Sequence, residues 1–280
     1  MSIGQHHPTE GPRGPQPVRI GRQLFLMFLG FVTVCYGVIL AYHMIVPRRE
    51  VTEPNGPRAN LLEKCRELCL AYGLVPTGHI ANDAKAYLRS EKTKPLFNPL
   101  HEILADEKFV AQESQPHELL GKQAPDFELP DDGGVLVSLK SLLEDGPVVV
   151  VFYYGYHCNH CVGQLFGLNE DLPRFVEMGT RVVAISGDPI ELTTKRFVEY
   201  GRFYFPVLSD KDNRVAQQYG VFQPEAGDKP ENLLHGTFVI NTDGTVLWTN
   251  TGNKPFLDNQ TLLTVIARQH GLISEKDATK

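Results

Sequence analysis

Hydrophobic and polar positions divide the chain into three patterns. The first is an unbroken apolar run, Leu24 to Val46, reading LFLMFLGFVTVCYGVILAYHMIV without one Asp, Glu, Lys or Arg. Its 23 residues would rise roughly 34 Å as a helix, enough to cross a bilayer core of about 30 Å with some tilt. The run is too long and too uniformly apolar for a buried core helix, so a transmembrane helix is predicted. Ile39-Leu40-Ala41 is a weak cleavage match, but the apolar run continues past it, which favours an uncleaved anchor over a signal peptide. The second pattern is helical. In ANLLEKCRELCLAYGL the apolar positions 61, 62, 65, 68, 69 and 72 recur at i, i+3, i+4, i+7 and i+8 spacing, and Gly73 supplies a stop. Shorter helices are predicted over Ile80–Arg89 and Pro99–Glu107. The third pattern begins at Gly121, where strand-type and helix-type segments alternate.

Within that third region Val148–Tyr153 reads as a buried central strand and Arg181–Ser186 as another. Phe127–Leu129, Val135–Ser138 and Phe205–Leu208 are shorter extended segments. Helices are predicted over about Cys161–Met178, Ile190–Tyr200 and Asn259–Gln269, with a helical turn at Val215–Tyr219. Thr237–Asn241 and Thr245–Thr249 flank NTDG, a hairpin signal. A βαβ unit followed by a hairpin and a helix predicts a layered α/β domain. The expected organisation is a disordered tail over 1–23, a transmembrane helix over 24–46, a linker and helical spacer over 47–120, the α/β domain over 121–272 and a tail over 273–280.

Composition changes this picture little. With 42% hydrophobic and 21% charged residues, the 280-residue chain is ordinary globular material. A net charge of −6 gives no reason to expect a nucleic-acid partner. Three arginines precede the apolar run (13, 19, 22) and four basic residues follow it (Arg48, Arg49, Arg58, Lys64), so the positive-inside bias leaves the orientation open.

The five cysteines, 35, 65, 69, 158 and 161, are too few and too clustered for a disulfide scaffold. Cys65 and Cys69 both lie on a predicted apolar helix stripe, which reads as core packing; a disulfide between them would strain the helix. The informative stretch is YYGYHCNHC, residues 153 to 161, where Cys158 and Cys161 flank Asn159 and His160, with His157 just before. Two thiols near histidine suit a redox pair, a peroxide-reducing thiol or a soft-metal site. A strand-to-helix junction is expected to favour thiolate, because a helix N-terminus and a protonated histidine both stabilise negative charge. Tyr154 and Tyr156 read as packing and rim residues.

From Gly121 onward the sequence resembles the thioredoxin-like superfamily, and more closely its peroxiredoxin-like branch of alkyl hydroperoxide reductases and thiol-specific antioxidants. The resemblance rests on GKQAPDFELPDDGG, VVVVFYYGYHCNHC, VVAISGDP, FPVLSDKDNRVAQQYGV and HGTFVINTDGTV, in that order. It implies a thioredoxin-like fold, a central sheet flanked by helices. Peroxiredoxins of this branch carry P-x-x-x-T-x-x-C and a distant arginine. Here Tyr154 stands at the proline, Cys158 at the threonine, Cys161 at the peroxidatic cysteine and His235 at the arginine. Thioredoxins carry C-x-x-C, present here, and a cis-proline that again falls on His235. Cys-Asn-His-Cys is also similar to the C-G-H-C of disulfide isomerases. YYGYHCNHC further resembles the Y-G-Y-T-H-C-x-x-x-C stretch of Sco-type copper chaperones, although the cysteine spacing is one residue shorter. That likeness implies Cu(I) held by Cys158, Cys161 and His235.

The leading expectation is a membrane-anchored thiol–disulfide oxidoreductase with no cofactor and a protein dithiol, disulfide or thioredoxin-like reductant as partner. Cys158, Cys161, His160 and His235 are its expected catalytic residues. Cys158 is expected to attack as the more exposed sulfur and Cys161 to resolve. A thiol peroxidase and a copper-handling protein are the alternatives. Exchange of this kind works best outside the reducing cytosol, so the redox domain is expected on the extracytoplasmic side.

Overall fold

The computed structural model describes residues 20–45, 77–156, 158–227 and 229–273. They fall into two compact units, one within Met1–Glu53 and one within Pro54–Lys280. The first unit contains helix α1 (Ile20–Ile45, 26 residues). Its side chains are described from 24 to 38, and every large hydrophobic among them is 44% or more exposed. A stretch of that length rises only about 22 Å, short of a bilayer core. Among the described residues no helix is long and apolar enough to cross a membrane, so the expected span over 24–46 is not itself observed. The helix expected around Cys65 and Cys69 lies outside the described residues, as does His157.

In chain order the second unit contains α2 (Ile80–Ser90), α3 (Leu100–Leu104), β1 (Glu128–Pro130), β2 (Leu136–Ser138), α4 (Leu139–Leu143) and β3 (Val148–Phe152). There follow α5 (Asn159–Glu177), β4 (Arg181–Ser186), α6 (Ile190–Tyr200), β5 (Val207–Ser209) and α7 (Arg214–Gln218). The remainder is β6 (Phe222–Gln223), β7 (Asn232–Leu233), β8 (His235–Ile240), β9 (Val246–Gly252) and α8 (Asn259–Gln269).

Four consecutive valines and a phenylalanine make β3, and all five residues are buried. β-branched side chains fit the pleat, and a strand with no charged residue can sit between layers on both faces. β3 is the centre of a five-stranded mixed sheet of order β5-β4-β3-β8-β9. It pairs parallel with β4 and antiparallel with β8. Alternate side chains feed opposite cores, as a period of two requires. Val149 and Val151 join Leu165 and Leu168 of α5 and Leu262, Leu263 and Ile266 of α8 on one face. Val148, Val150 and Phe152 join Leu139, Val215 and Tyr219 on the other.

Boundaries moved where local chemistry overrode periodicity. α5 begins at Asn159, not Cys161, because the Cys158 side chain caps it by accepting from the Cys161 backbone N–H. The expected Pro99–Glu107 helix shrinks to Leu100–Leu104. The strand expected over Phe205–Leu208 begins at Val207, after Pro206, which has no N–H for the ladder. β8 reaches back to His235, two residues before the expected start, and a register shift marks its pairing with β9 at Val239/Ile240.

Candidate redox site

The end of β3 and the start of β8 lie side by side, because the antiparallel register sets Phe152 opposite Gly236. A short loop then leads from β3 into the N-terminus of α5. Gly155 in this loop has φ +108, a conformation side chains disfavour, and a Cβ there would collide with the Asp188 carboxylate. The turn lets the Tyr156 backbone N–H donate to Asp188 Oδ2 at 2.7 Å. Cys158, His160, Cys161 and His235 are thereby brought together.

Cys158 and Cys161 are joined by a disulfide, with Cα atoms 5.2 Å apart. The Cys161 backbone N–H points at Cys158 Sγ at 3.3 Å. In the reduced state that same donor, with the positive end of the helix, would stabilise a Cys158 thiolate. Cys161 Sγ lies 3.6 Å from His235 Nε2. The His235 ring stacks on Tyr154 at 4.1 Å between centroids and sits 5.5 Å from the His160 ring. The structure thus gathers all four expected site residues, and gives Tyr154 a direct contact with one of them.

Two expectations are corrected here. Neither sulfur is open to solvent, Cys158 being 1% exposed and Cys161 0%, so the exposure expected of Cys158 is lacking. The spacer contributes to the cover, since α2 packs along the first turns of α5 beside the cysteines. The Asn159 side-chain amide donates to Asp83 Oδ2 at 3.3 Å, and the Tyr87 ring lies 5.7 Å from that of His160. Gly163 permits the approach, because a Cβ there would stand 3.0 Å from the Tyr87 ring and 3.3 Å from the Ala84 carbonyl. Nor does a protonated histidine assist the pair in this state. Burial pushes His160 down to about 4. His235 is also pushed well below its ordinary value, first by burial and then by His160. Both rings are neutral at neutral pH.

Burial leaves polar atoms stranded. Both ring nitrogens of His160 and Nδ1 of His235 lack a hydrogen-bond partner among the described residues. Such groups cost about 1–3 kcal/mol each, so a function should account for them. One ligand atom from each of Cys158, His160, Cys161 and His235 can be chosen so that all lie within 4.8 Å of one another. The set can therefore either exchange a disulfide or, once reduced, present two sulfurs and two imidazole nitrogens to a soft cation.

Sequence reasoning missed four supporting residues. Asp188 follows β4 in SGDP, where an acid before proline reads as ordinary turn chemistry. Gln164 donates from Nε2 to Thr237 Oγ1 at 3.0 Å, tying α5 to β8. Asp83 and Tyr87 gave no signal because the site residues they meet lie more than 70 residues away, 76 in the case of Asp83 and Asn159.

Parts of this chain are similar to known proteins. Residues 120–249 match the AhpC/TSA family. A Mycobacterium tuberculosis protein assigned to the peroxiredoxins is 39% identical over 127 residues, covering 45% of this chain and 81% of its own. The thiol-disulfide oxidoreductase ResA of Bacillus thuringiensis is 31% identical over 128 residues, covering 46% of this chain and 67% of its own. The crystal structure of a peroxidoxin from M. tuberculosis aligns with a TM-score of 0.49 at 33% identity, over 56% of this chain and 100% of that one. The chain belongs to the AhpC/TSA family, within the peroxiredoxin-like branch of the thioredoxin-like superfamily, and is a thiol-dependent redox enzyme.

Proposed function

We propose that the chain is a membrane-anchored thiol–disulfide oxidoreductase working through Cys158 and Cys161 on protein partners. The observation that carries this reading is the Cys158–Cys161 bond at the capped start of α5. In the reducing direction the Cys158 thiolate attacks one sulfur of a partner disulfide and expels the other as thiolate. Cys161 then attacks Cys158 within the mixed disulfide, which releases the second partner sulfur and re-forms the Cys158–Cys161 bond. The two electrons come from the dithiol of this chain, and the oxidising direction reverses each step. His235, whose Nε2 lies 3.6 Å from Cys161 Sγ, would accept the resolving thiol's proton. His160 is a neutral ring that fills the space between α2 and the pair.

Peroxidase activity is the weaker reading. Tyr154, Cys158 and His235 stand where peroxide-positioning proline, threonine and arginine would be, so no fixed cation meets a peroxide oxygen. Anchoring rests on α1, whose large hydrophobic side chains described between 24 and 38 are all exposed; a helix apolar all round belongs in a protein interior or in lipid. The redox unit would then lie on the extracytoplasmic side.

The test is equilibration of the purified full chain in dithiol buffers of graded potential, with free thiols counted by alkylation. A single two-electron couple is expected, with hydrogen peroxide oxidising the dithiol no faster than an unassisted thiolate. A rapid sulfenic acid on Cys161 in the Cys158→Ser variant would make the protein a peroxidase instead.

A further inference from the structure

We propose that the reduced protein binds one Zn²⁺ in a closed four-ligand site made of Cys158, Cys161, His160 and His235. This goes beyond exchange and needs only that the Cys158–Cys161 bond can be reduced. Three observations carry it. First, the four ligand atoms already lie within 4.8 Å of one another. A tetrahedral zinc, with Zn–S near ~2.3 Å and Zn–N near ~2.0–2.1 Å, needs ligand separations of roughly 3.3–3.8 Å. The adjustment required is about an ångström at the widest pair and the opening of the disulfide. Second, His160 and His235 are each only 2% exposed, yet three of their four ring nitrogens have no hydrogen-bond partner among the described residues. Those nitrogens are uncommitted, and the fourth, His235 Nε2, already faces Cys161 Sγ at 3.6 Å. Third, charge selects the ion. Two thiolates and two neutral imidazoles carry −2, which Zn²⁺ cancels, whereas Cu⁺ would leave −1. In a site whose four ligating residues are no more than 2% exposed, the uncompensated charge is the costlier choice.

The chemistry balances. A dithiol or phosphine donor supplies two electrons, and with two protons the S–S bond becomes two thiols. Zn²⁺ then binds and releases both thiol protons. Once the ion has left and the thiols are free again, a disulfide partner can take two electrons and two protons from them and re-form the Cys158–Cys161 bond. Metal binding and exchange therefore exclude each other, and zinc would hold the pair reduced and silent.

The experiment uses the full chain in detergent, reduced anaerobically with a phosphine and shown by alkylation to carry Cys158 and Cys161 as free thiols. Zn²⁺ affinity is read by competition with a chelating dye, and Co²⁺ is substituted as a spectroscopic probe. One equivalent of Zn²⁺ is expected in the reduced protein and none in the disulfide form, with Co²⁺ giving a tetrahedral spectrum and a thiolate charge-transfer band. His160→Ala and His235→Ala should each weaken Zn²⁺ binding by at least about tenfold. His160→Gln and His235→Gln, which keep the volume, should do the same if folding is the concern. Unchanged affinity in both histidine variants would leave a bare dithiol and overturn the proposal. So would one bound Cu⁺ without measurable Zn²⁺ binding.

Discussion

At the scale of single residues, the site is set by a few side chains whose partners are far away in sequence. Cys158 and Cys161 were legible because two thiols three apart at a strand-to-helix junction leave few other uses. His235 was legible only through resemblance, since nothing local to it points across 74 residues to Cys161. Asp188 was not legible at all. It is 5% exposed and accepts from the Tyr156 N–H, which fixes the loop before the cysteines. Asp188→Ala should leave that buried N–H without an acceptor and lower stability by about 1–3 kcal/mol. Urea denaturation of the oxidised protein measures this directly, and a change below about 0.5 kcal/mol, the size of an ordinary surface effect, would show that the loop is held by other means.

Elements determine access. Periodicity marked α2, but not that it would lie over the redox helix, because its Ala84, Tyr87 and Leu88 stripe fits any apolar partner. With the sulfurs buried, a protein partner needs some covering group to shift, and α2, packed on the residues beside them, is one candidate. Tyr87→Ala, which removes the ring over His160 and Gly163, should speed reduction of the Cys158–Cys161 bond by a small dithiol several-fold. Equal rates in wild type and variant would mean that α2 does not limit access. Asp171 on α5 ties this region together, accepting from the Leu96 N–H at 2.7 Å and from the Asn259 amide at 2.8 Å. Burial nevertheless raises its pKa above the ordinary 3.8, outweighing those hydrogen bonds and Arg174. The folded state therefore holds this proton more tightly than the unfolded state. Stability from this group is lost as pH rises from about 3.8 through the raised value. The stability of Asp171→Asn relative to wild type should accordingly improve as pH rises from 3.5 to 7, measured by urea titration at each pH. A difference independent of pH would contradict the shift.

For the whole molecule, the alternating strand and helix pattern from Gly121 was enough to predict a layered α/β domain with β3 at its centre, because all five β3 residues are apolar, but not the order of the strands around it. The apolar run near the N-terminus sets a prediction of a different kind. Full chain expressed in bacteria should sediment with membranes and resist carbonate extraction, while replacing two of the leucines in 24–29 with arginine should release it. Retention of the arginine variant in the membrane fraction would argue against a spanning anchor. The central claim is that Cys158 attacks and Cys161 resolves, and it is tested most directly by trapping. Cys161→Ser, expressed in cells and quenched with acid, should accumulate mixed disulfides with protein partners through Cys158. Cys158→Ser should accumulate almost none. Mixed disulfides trapped on Cys161 in the Cys158→Ser variant, with none in Cys161→Ser, would contradict it.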